Sequence, residues 1–195
     1  MTGVTTHPVP DCRLPPQLEP ILGPQSRLAS LCALERVIVA CDGTFTFQLE
    51  TYLGEPIEID ILEYRTAPLP ECAARFMDAV PQSMFRERKV LLKGAQTGQP
   101  HVFAHSWVNA SALPASLQAD LEKSPMGIGR LFVDYRLSTY RELLGYFFED
   151  GAAYAAFFPN RKDFSFLARV YRVLYKDSPV MLITEKMPRD LFGGG

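Results

Sequence analysis

Cysteine is scarce in this chain of 195 residues: Cys12, Cys32, Cys41 and Cys72, with no two of them in a C-x-x-C pair. A structural zinc site therefore finds no support. His7, His101 and His105 are the only histidines, and they are too scattered to argue for any other metal. No apolar run approaches the length of about 20 residues that a bilayer-spanning helix needs. Neither sign of charge is in excess, with 20 basic against 22 acidic side chains. Such a balance provides no basic field for nucleic acid and no polybasic patch for a membrane surface. The chain has no GxSxG elbow, no HExxH and no phosphate-binding glycine loop, and so lacks several common catalytic kits. Its N-terminus, MTGVTTHPVPDCRLPPQ, has no basic-then-apolar signal region. The expectation is a cytosolic protein whose thiols stay reduced, each a small buried hydrophobe or an idle surface group.

What is present is an ordinary globular composition, 47% apolar and 22% charged, enough to bury a substantial core in one domain. The most organised stretch is Arg169 to Pro188, RVYRVLYKDSPVMLITEKMP. It reads as two strands joined at Lys176-Asp177-Ser178, with Pro179 closing the turn. Val180 to Ile183 form an uninterrupted apolar run, as expected of a strand covered on both faces. Glu185 follows that run directly. At a strand end it either points to water or is paired, protonated or functional, because an isolated buried carboxylate is very costly.

Upstream, residues 1–24 are proline-rich and aperiodic and read as an extended arm. Ser26 is placed to cap a helix carrying Leu28, Leu31, Leu34 and Ile38 on one face. Thr44 to Leu53 reads as a second helix closed by Gly54, whose first turn, with Phe45, offers free backbone N–H groups to an anion. Asp42 and Thr44 could equally do no more than cap it. Ile57, Ile59 and Ile61 alternate with acids as in a half-exposed strand. Thr66 to Gln82 reads as a connection with a short helical piece, Cys72 to Ala79. A charged entry, Arg86 to Lys89, leads into the strand Val90–Leu92, and a hairpin turn at Gly94–Pro100 leads to a return strand, His101–Val108. His101 and His105 fall on one face of that strand. A short helix is expected over Leu113–Leu121, a glycine-rich turn over Pro125–Gly129, a strand over Leu131–Leu137 and a helix over Thr139–Glu149 with Leu143, Leu144, Phe147 and Phe148 as its core face. The aromatic loop from Tyr154 to Phe166 is expected to pack as core or lid. The pattern as a whole predicts an α+β domain, an antiparallel sheet with helices on its outside, spanning residues 25–192.

The chemistry on offer is a set of strand-borne charges, Arg88 and Glu185, beside two backbone-rich turns at Phe45 and Ile128. An arginine and exposed N–H groups suit a carboxylate, which guanidinium binds through two parallel hydrogen bonds. A neighbouring glutamate can bind a hydroxyl or act as a general acid.

Four segments make a more specific pattern: Arg36–Glu50 (RVIVACDGTFTFQLE), Arg88–Gly94 (RKVLLKG) with Val102–Val108, Ile128–Leu144 (IGRLFVDYRLSTYRELL) and Arg169–Met187. In order and spacing they resemble the chorismate pyruvate-lyase family, in the short bacterial branch that makes hydroxybenzoates. The resemblance implies an antiparallel sheet flanked by helices, and removal of pyruvate from chorismate to leave 4-hydroxybenzoate without metal or cofactor. It implies that Arg88 binds the ring carboxylate, assisted by backbone N–H groups at Phe45 and Ile128. It places Glu185 beside the leaving enolpyruvyl oxygen, where a raised pKa would let it donate a proton. Arg88 and Glu185 are then the catalytic pair, with Phe45, Ile128 and His105 as substrate-binding positions.

The chain departs from the family pattern at His105, where relatives often carry an acidic or basic residue, and at Gly127, where proline is usual. The aromatic loop matches no family motif. Two other functions are therefore weighed beside the lyase. One is an enzyme whose pocket is reshaped by the aromatic loop for a more hydrophobic metabolite; the other is a non-catalytic module that binds a small acid.

Overall fold

The computed structural model describes residues 8–11, 14–21, 26–123, 128–161 and 164–193. His7, Cys12 and the 125–127 portion of the expected glycine-rich turn lie outside the described residues. The fold is α+β, as expected. Its centre is one sheet of six strands: β1 (Ile57–Pro68), β2 (Met84–Gly94), β3 (Pro100–Val108), β4 (Thr139–Asp150), β5 (Ser165–Tyr175) and β6 (Ser178–Pro188). They lie in the order β1-β2-β3-β6-β5-β4, every neighbouring pair antiparallel. Adjacent strands in sequence form hairpins on either side, and the β3–β6 pairing joins the halves. The β5–β6 turn uses Lys176 and Asp177, both at positive φ (52° and 62°), which matches the twist of the strands it links.

One face of the sheet is covered by α1 (Ala33–Val39) and α2 (Phe45–Leu53) at one end, and by α4 (Ala115–Lys123) and α5 (Ile128–Asp134) at the other. Leu49 of α2 packs with Val90, Leu92 and Ala104, while Leu117, Leu121 and Leu131 of α4 and α5 pack with Val173, Met181 and Ile183. The other face is covered by a short helix, Glu71–Ala74, by a 3-10 turn, Gly151–Phe157, and by Leu14 and Leu18 of the N-terminal segment. With both faces covered, β6 is apolar and buried along nearly its whole length.

Helix α2 and its left-handed cap Gly54 (φ 72°) form as the sequence predicts. Helix α1 starts later than Ser26, because Cys32 and Glu35 form a capping box: the Cys32 N–H donates to Glu35 Oε2 at 2.8 Å, and Glu35 N–H donates back to Cys32 Sγ at 3.5 Å. Two elements are reversed. Residues 131–137 are expected as a strand, yet Leu131 and Phe132 are buried beside exposed Val133 in α5, a helical spacing that begins at Ile128. Residues 139–149 are expected as a helix and are strand β4. A register shift between Leu143 and Gly145 breaks the two-residue alternation, so the apolar residues recur at intervals that imitate a helix, whereas Glu71–Ala74 is the short helix α3. Phe147 falls on the second face and Tyr146 on the first. Likewise β2 begins at Met84: Arg86 to Lys89, expected as an entry, are strand residues, and Glu87, Arg88 and Lys89 are buried.

Candidate active site

Between the two helical pairs the first face of the sheet is left open as a cavity. Its floor is Arg88, Val90 and Leu92 of β2, Ala104 and Ser106 of β3, Ile183 and Glu185 of β6, and Tyr171 and Val173 of β5. Every one of these sets is spaced by two, which puts each on the same side of its strand. The first turn of α2 (Thr44, Phe45, Thr46) and the start of α5 (Ile128, Gly129) form opposite lips, and Arg141 of β4 stands at the edge. Four of the five residues singled out from the sequence thus meet in one cavity: Arg88, Glu185, Phe45 and Ile128.

Arg88 is 3% exposed, and its Nε has no hydrogen-bond partner. Among the described residues no carboxylate pairs with it, and burial pushes its guanidinium down to about 10. A buried cation without a counter-ion costs free energy, and an anion entering the cavity would recover it. Ser106 lies directly across from Arg88 in the β2–β3 ladder, facing the same space. Thr44 precedes α2 without a side-chain cap, so the first-turn N–H groups are not satisfied by it.

Glu185 is 6% exposed and lies at the centre of a buried network. Arg169 Nε donates to Glu185 Oε2 at 2.5 Å, and Tyr171 Oη donates to Oε1 at 3.0 Å. Arg169 Nη1 also donates to the carbonyls of Ile38 (2.7 Å) and Cys41 (3.1 Å), tying the loop before α2 to the sheet. The Arg169 guanidinium lies over the Phe45 ring, 4.4 Å from its centroid. Burial and the neighbouring Glu185 push the Tyr171 phenol well above its ordinary range, so it remains a neutral donor. Both Glu185 oxygens accept hydrogen bonds in this arrangement. Arg169, Tyr171 and Arg141 were missed in the sequence. Arg169 and Tyr171 are two apart within the Arg169–Pro188 stretch, and that spacing already placed them on one face. Arg141 was hidden by the helix expected over its strand.

His105 does not join the site. It alternates out of phase with Ala104 and Ser106 and faces the second side of the sheet, where its Nε2 lies 2.9 Å from Glu87 Oε1. There Glu87, Lys89, Glu63 and Arg65 form an ion-pair cluster over the second face. The change from the family pattern at His105 thus alters this cluster. The aromatic loop is equally remote: Tyr154, Phe158 and Phe166 pack on Leu91 and Phe103 on that second face. A pocket reshaped by this loop is not what the structure contains. Among the described residues no group of three or more His, Cys, Asp or Glu side chains could hold a metal ion. No helix among them is long and apolar enough to cross a membrane.

The chain is similar to the effector domain of PhnF from Mycobacterium smegmatis, with a TM-score of 0.58, 11% identity, and coverage of 76% of this chain and 90% of that one. It is also similar to a GntR-family transcriptional regulator from Bacillus cereus, at 0.50 and 12%, covering 67% and 90%. These likenesses concern the fold alone. The sequence is more specific: the Rv2949c-like chorismate pyruvate-lyase model matches residues 39–192. The chain belongs to that family. It is 28% identical to the chorismate pyruvate-lyase of Mycobacterium leprae (strain TN) over 166 residues, 80% of this chain and 75% of that one. To the enzyme of the same name from Mycobacterium tuberculosis (strain H37Rv) it is 24% identical over 161 residues, 80% of each chain.

Proposed function

We propose that this protein eliminates pyruvate from chorismate and releases 4-hydroxybenzoate. Membership of the family supports a carbon–oxygen lyase acting on chorismate; the choice of product and the residue roles are our reading of the site. The observation that carries it is the pairing of a buried, unneutralised Arg88 with a buried Glu185 in one cavity. Arg88 takes the ring carboxylate, with Ser106 and the first turn of α2 beside it. In the reaction the ether C–O bond breaks and its electron pair leaves with the enolpyruvyl oxygen. The ring carbon bearing the hydroxyl loses its proton, the ring becomes aromatic, and the enolate takes up a proton to become pyruvate. Aromatisation makes this strongly downhill, so the protein's part is to hold the ring dry and to stabilise moving charge. Glu185, an acceptor fixed by Arg169, is set to receive the ring proton or hold the adjacent hydroxyl. Tyr171, kept neutral, gives its single O–H to Glu185 Oε1 and so holds that carboxylate in place for the transfer.

The fold neighbours include effector domains, so the same cavity would also suit a module that binds an acid without turning it over. Purified protein mixed with chorismate distinguishes the two. Pyruvate and 4-hydroxybenzoate should appear in equal amounts, unaffected by a chelator. Binding of 4-hydroxybenzoate without pyruvate release above the uncatalysed rate would favour the binding module.

A further inference from the structure

Arg141 is the second cation of this cavity, and the network around Glu185 does not use it. Its Nη1 reaches the Asp42 carbonyl at 3.5 Å, the outer limit of a hydrogen bond. Among the described residues no carboxylate pairs with it. Its Nη2 lies 3.1 Å from where a Cβ on Gly129 would stand, so the guanidinium occupies the gap between the two helical lips. In the sheet order β2-β3-β6-β5-β4, Arg88 and Arg141 stand on strands four intervals apart. At about 4.8 Å per interval that is roughly 19 Å between backbones, spanned from both sides by long side chains that converge on the cavity. Glu185, on β6, is two intervals from each.

A site with a cation at each end and a carboxylate between suits a substrate with two anionic ends and its reacting bond in the middle. We propose that Arg141 binds the enolpyruvyl carboxylate, the one that departs with pyruvate, while Arg88 binds the carboxylate that stays on the ring. This rests on the chorismate-lyase reading above. It has a consequence that product binding alone cannot reveal. Chorismate carries both carboxylates, and 4-hydroxybenzoate keeps only the ring carboxylate. Arg141 therefore discriminates substrate from product and loses its ligand when the C–O bond breaks. Negative charge also grows on the enolpyruvyl fragment as that bond opens, so Arg141 acts on kcat as well as on KM.

The test compares substrate with product in the full-length protein. Arg141→Gln should lower kcat/KM for pyruvate release by about 10–100-fold, the range for a lost charge-assisted hydrogen bond. The Kd of 4-hydroxybenzoate, measured by calorimetry, should move by less than about twofold. Arg141→Lys should restore part of the loss. Gly129→Ala provides a second variant. Alanine favours the helix, so the fold is kept, and its methyl group crowds Nη2, so a smaller loss with the same selectivity is expected. An unchanged kcat/KM in Arg141→Gln, or equal weakening of substrate and product, would overturn the assignment. The lyase reading fails separately, if the wild-type protein releases no pyruvate. The Arg141 assignment is then judged on calorimetric binding of chorismate against 4-hydroxybenzoate, where selective loss for chorismate upholds it and equal loss sinks it.

Discussion

Arg169 Nε donates to Glu185 Oε2 at 2.5 Å, and the two residues, 1% and 6% exposed, share their burial with the Tyr171 hydroxyl. Breaking a buried pair from one side strands the other charge, at a cost of roughly 3–5 kcal/mol. Glu185→Gln should therefore do two things. It should lower kcat by about a hundredfold or more, and it should lower the urea midpoint as Arg169 loses its counter-ion. The double variant Arg169→Met/Glu185→Leu should regain most of the stability and none of the activity. Full activity in Glu185→Gln would assign this carboxylate to structure alone.

Arg88 behaves in the opposite sense. Among the described residues no carboxylate pairs with it, so Arg88→Ala removes a desolvated cation and should leave unfolding stability equal or higher. Binding of 4-hydroxybenzoate should weaken by two orders of magnitude or more, since a carboxylate without its counter-charge loses about 3–5 kcal/mol and each tenfold is about 1.4. Arg88→Lys should recover part of the loss, because a point charge cannot reproduce the fork. Calorimetry and denaturant titration of the same preparations decide it. A destabilised Arg88→Ala that still binds product would place the anion site elsewhere.

On the second face, Glu87 ties stability to acid. Burial alone would raise its pKa, but hydrogen bonds from His105 and Arg65 and the charge of Lys89 outweigh burial and hold it at about 2. The folded value lies below the unfolded one of 4.5, so the protein gains stability above pH 4.5 and loses it as pH falls toward 2. The amount is at most about 3 kcal/mol. Urea unfolding between pH 5.5 and 3 should show this decline. Glu87→Gln should be less stable at pH 7 and show a shallower decline. An identical pH slope in the variant would remove Glu87 from the account.

Gly145 sits at the irregularity in β4 with φ 150°, where the N-terminal segment crosses the sheet edge. Glu19 and Tyr146 exchange both backbone hydrogen bonds there, at 2.7 and 3.0 Å. A Cβ at Gly145 would come within 2.7 Å of the Glu19 carbonyl and of Leu18 Cβ. Gly145→Ala should cost about 1–3 kcal/mol of stability and release the segment to protease. If limited proteolysis cuts both forms at the same rate, the segment is not held by this contact.

What was legible in the sequence was whatever is local. The hairpin Arg169–Pro188, the strands at Val90–Leu92 and His101–Val108, and helix α2 with its Gly54 cap are patterns within one element or one hairpin, and each of the four family segments spans only two neighbouring elements. They were enough to give the sheet and the family, and to single out Arg88, Glu185, Phe45 and Ile128, which line one cavity. Tertiary structure decided what local pattern could not carry. Strand β4 reads as a helix because a single irregularity at Gly145 breaks the two-residue period, and only pairing with β5 restores it. His105 and Ser106 differ by one position, and one position in a strand is the difference between the two faces of the sheet. The partners of the charged residues are equally non-local: Arg169 reaches Glu185 across a ladder and two carbonyls more than a hundred residues away. Whether a charge is neutralised or left waiting for a ligand depends on what other strands bring beside it, and that is settled only once the sheet has closed.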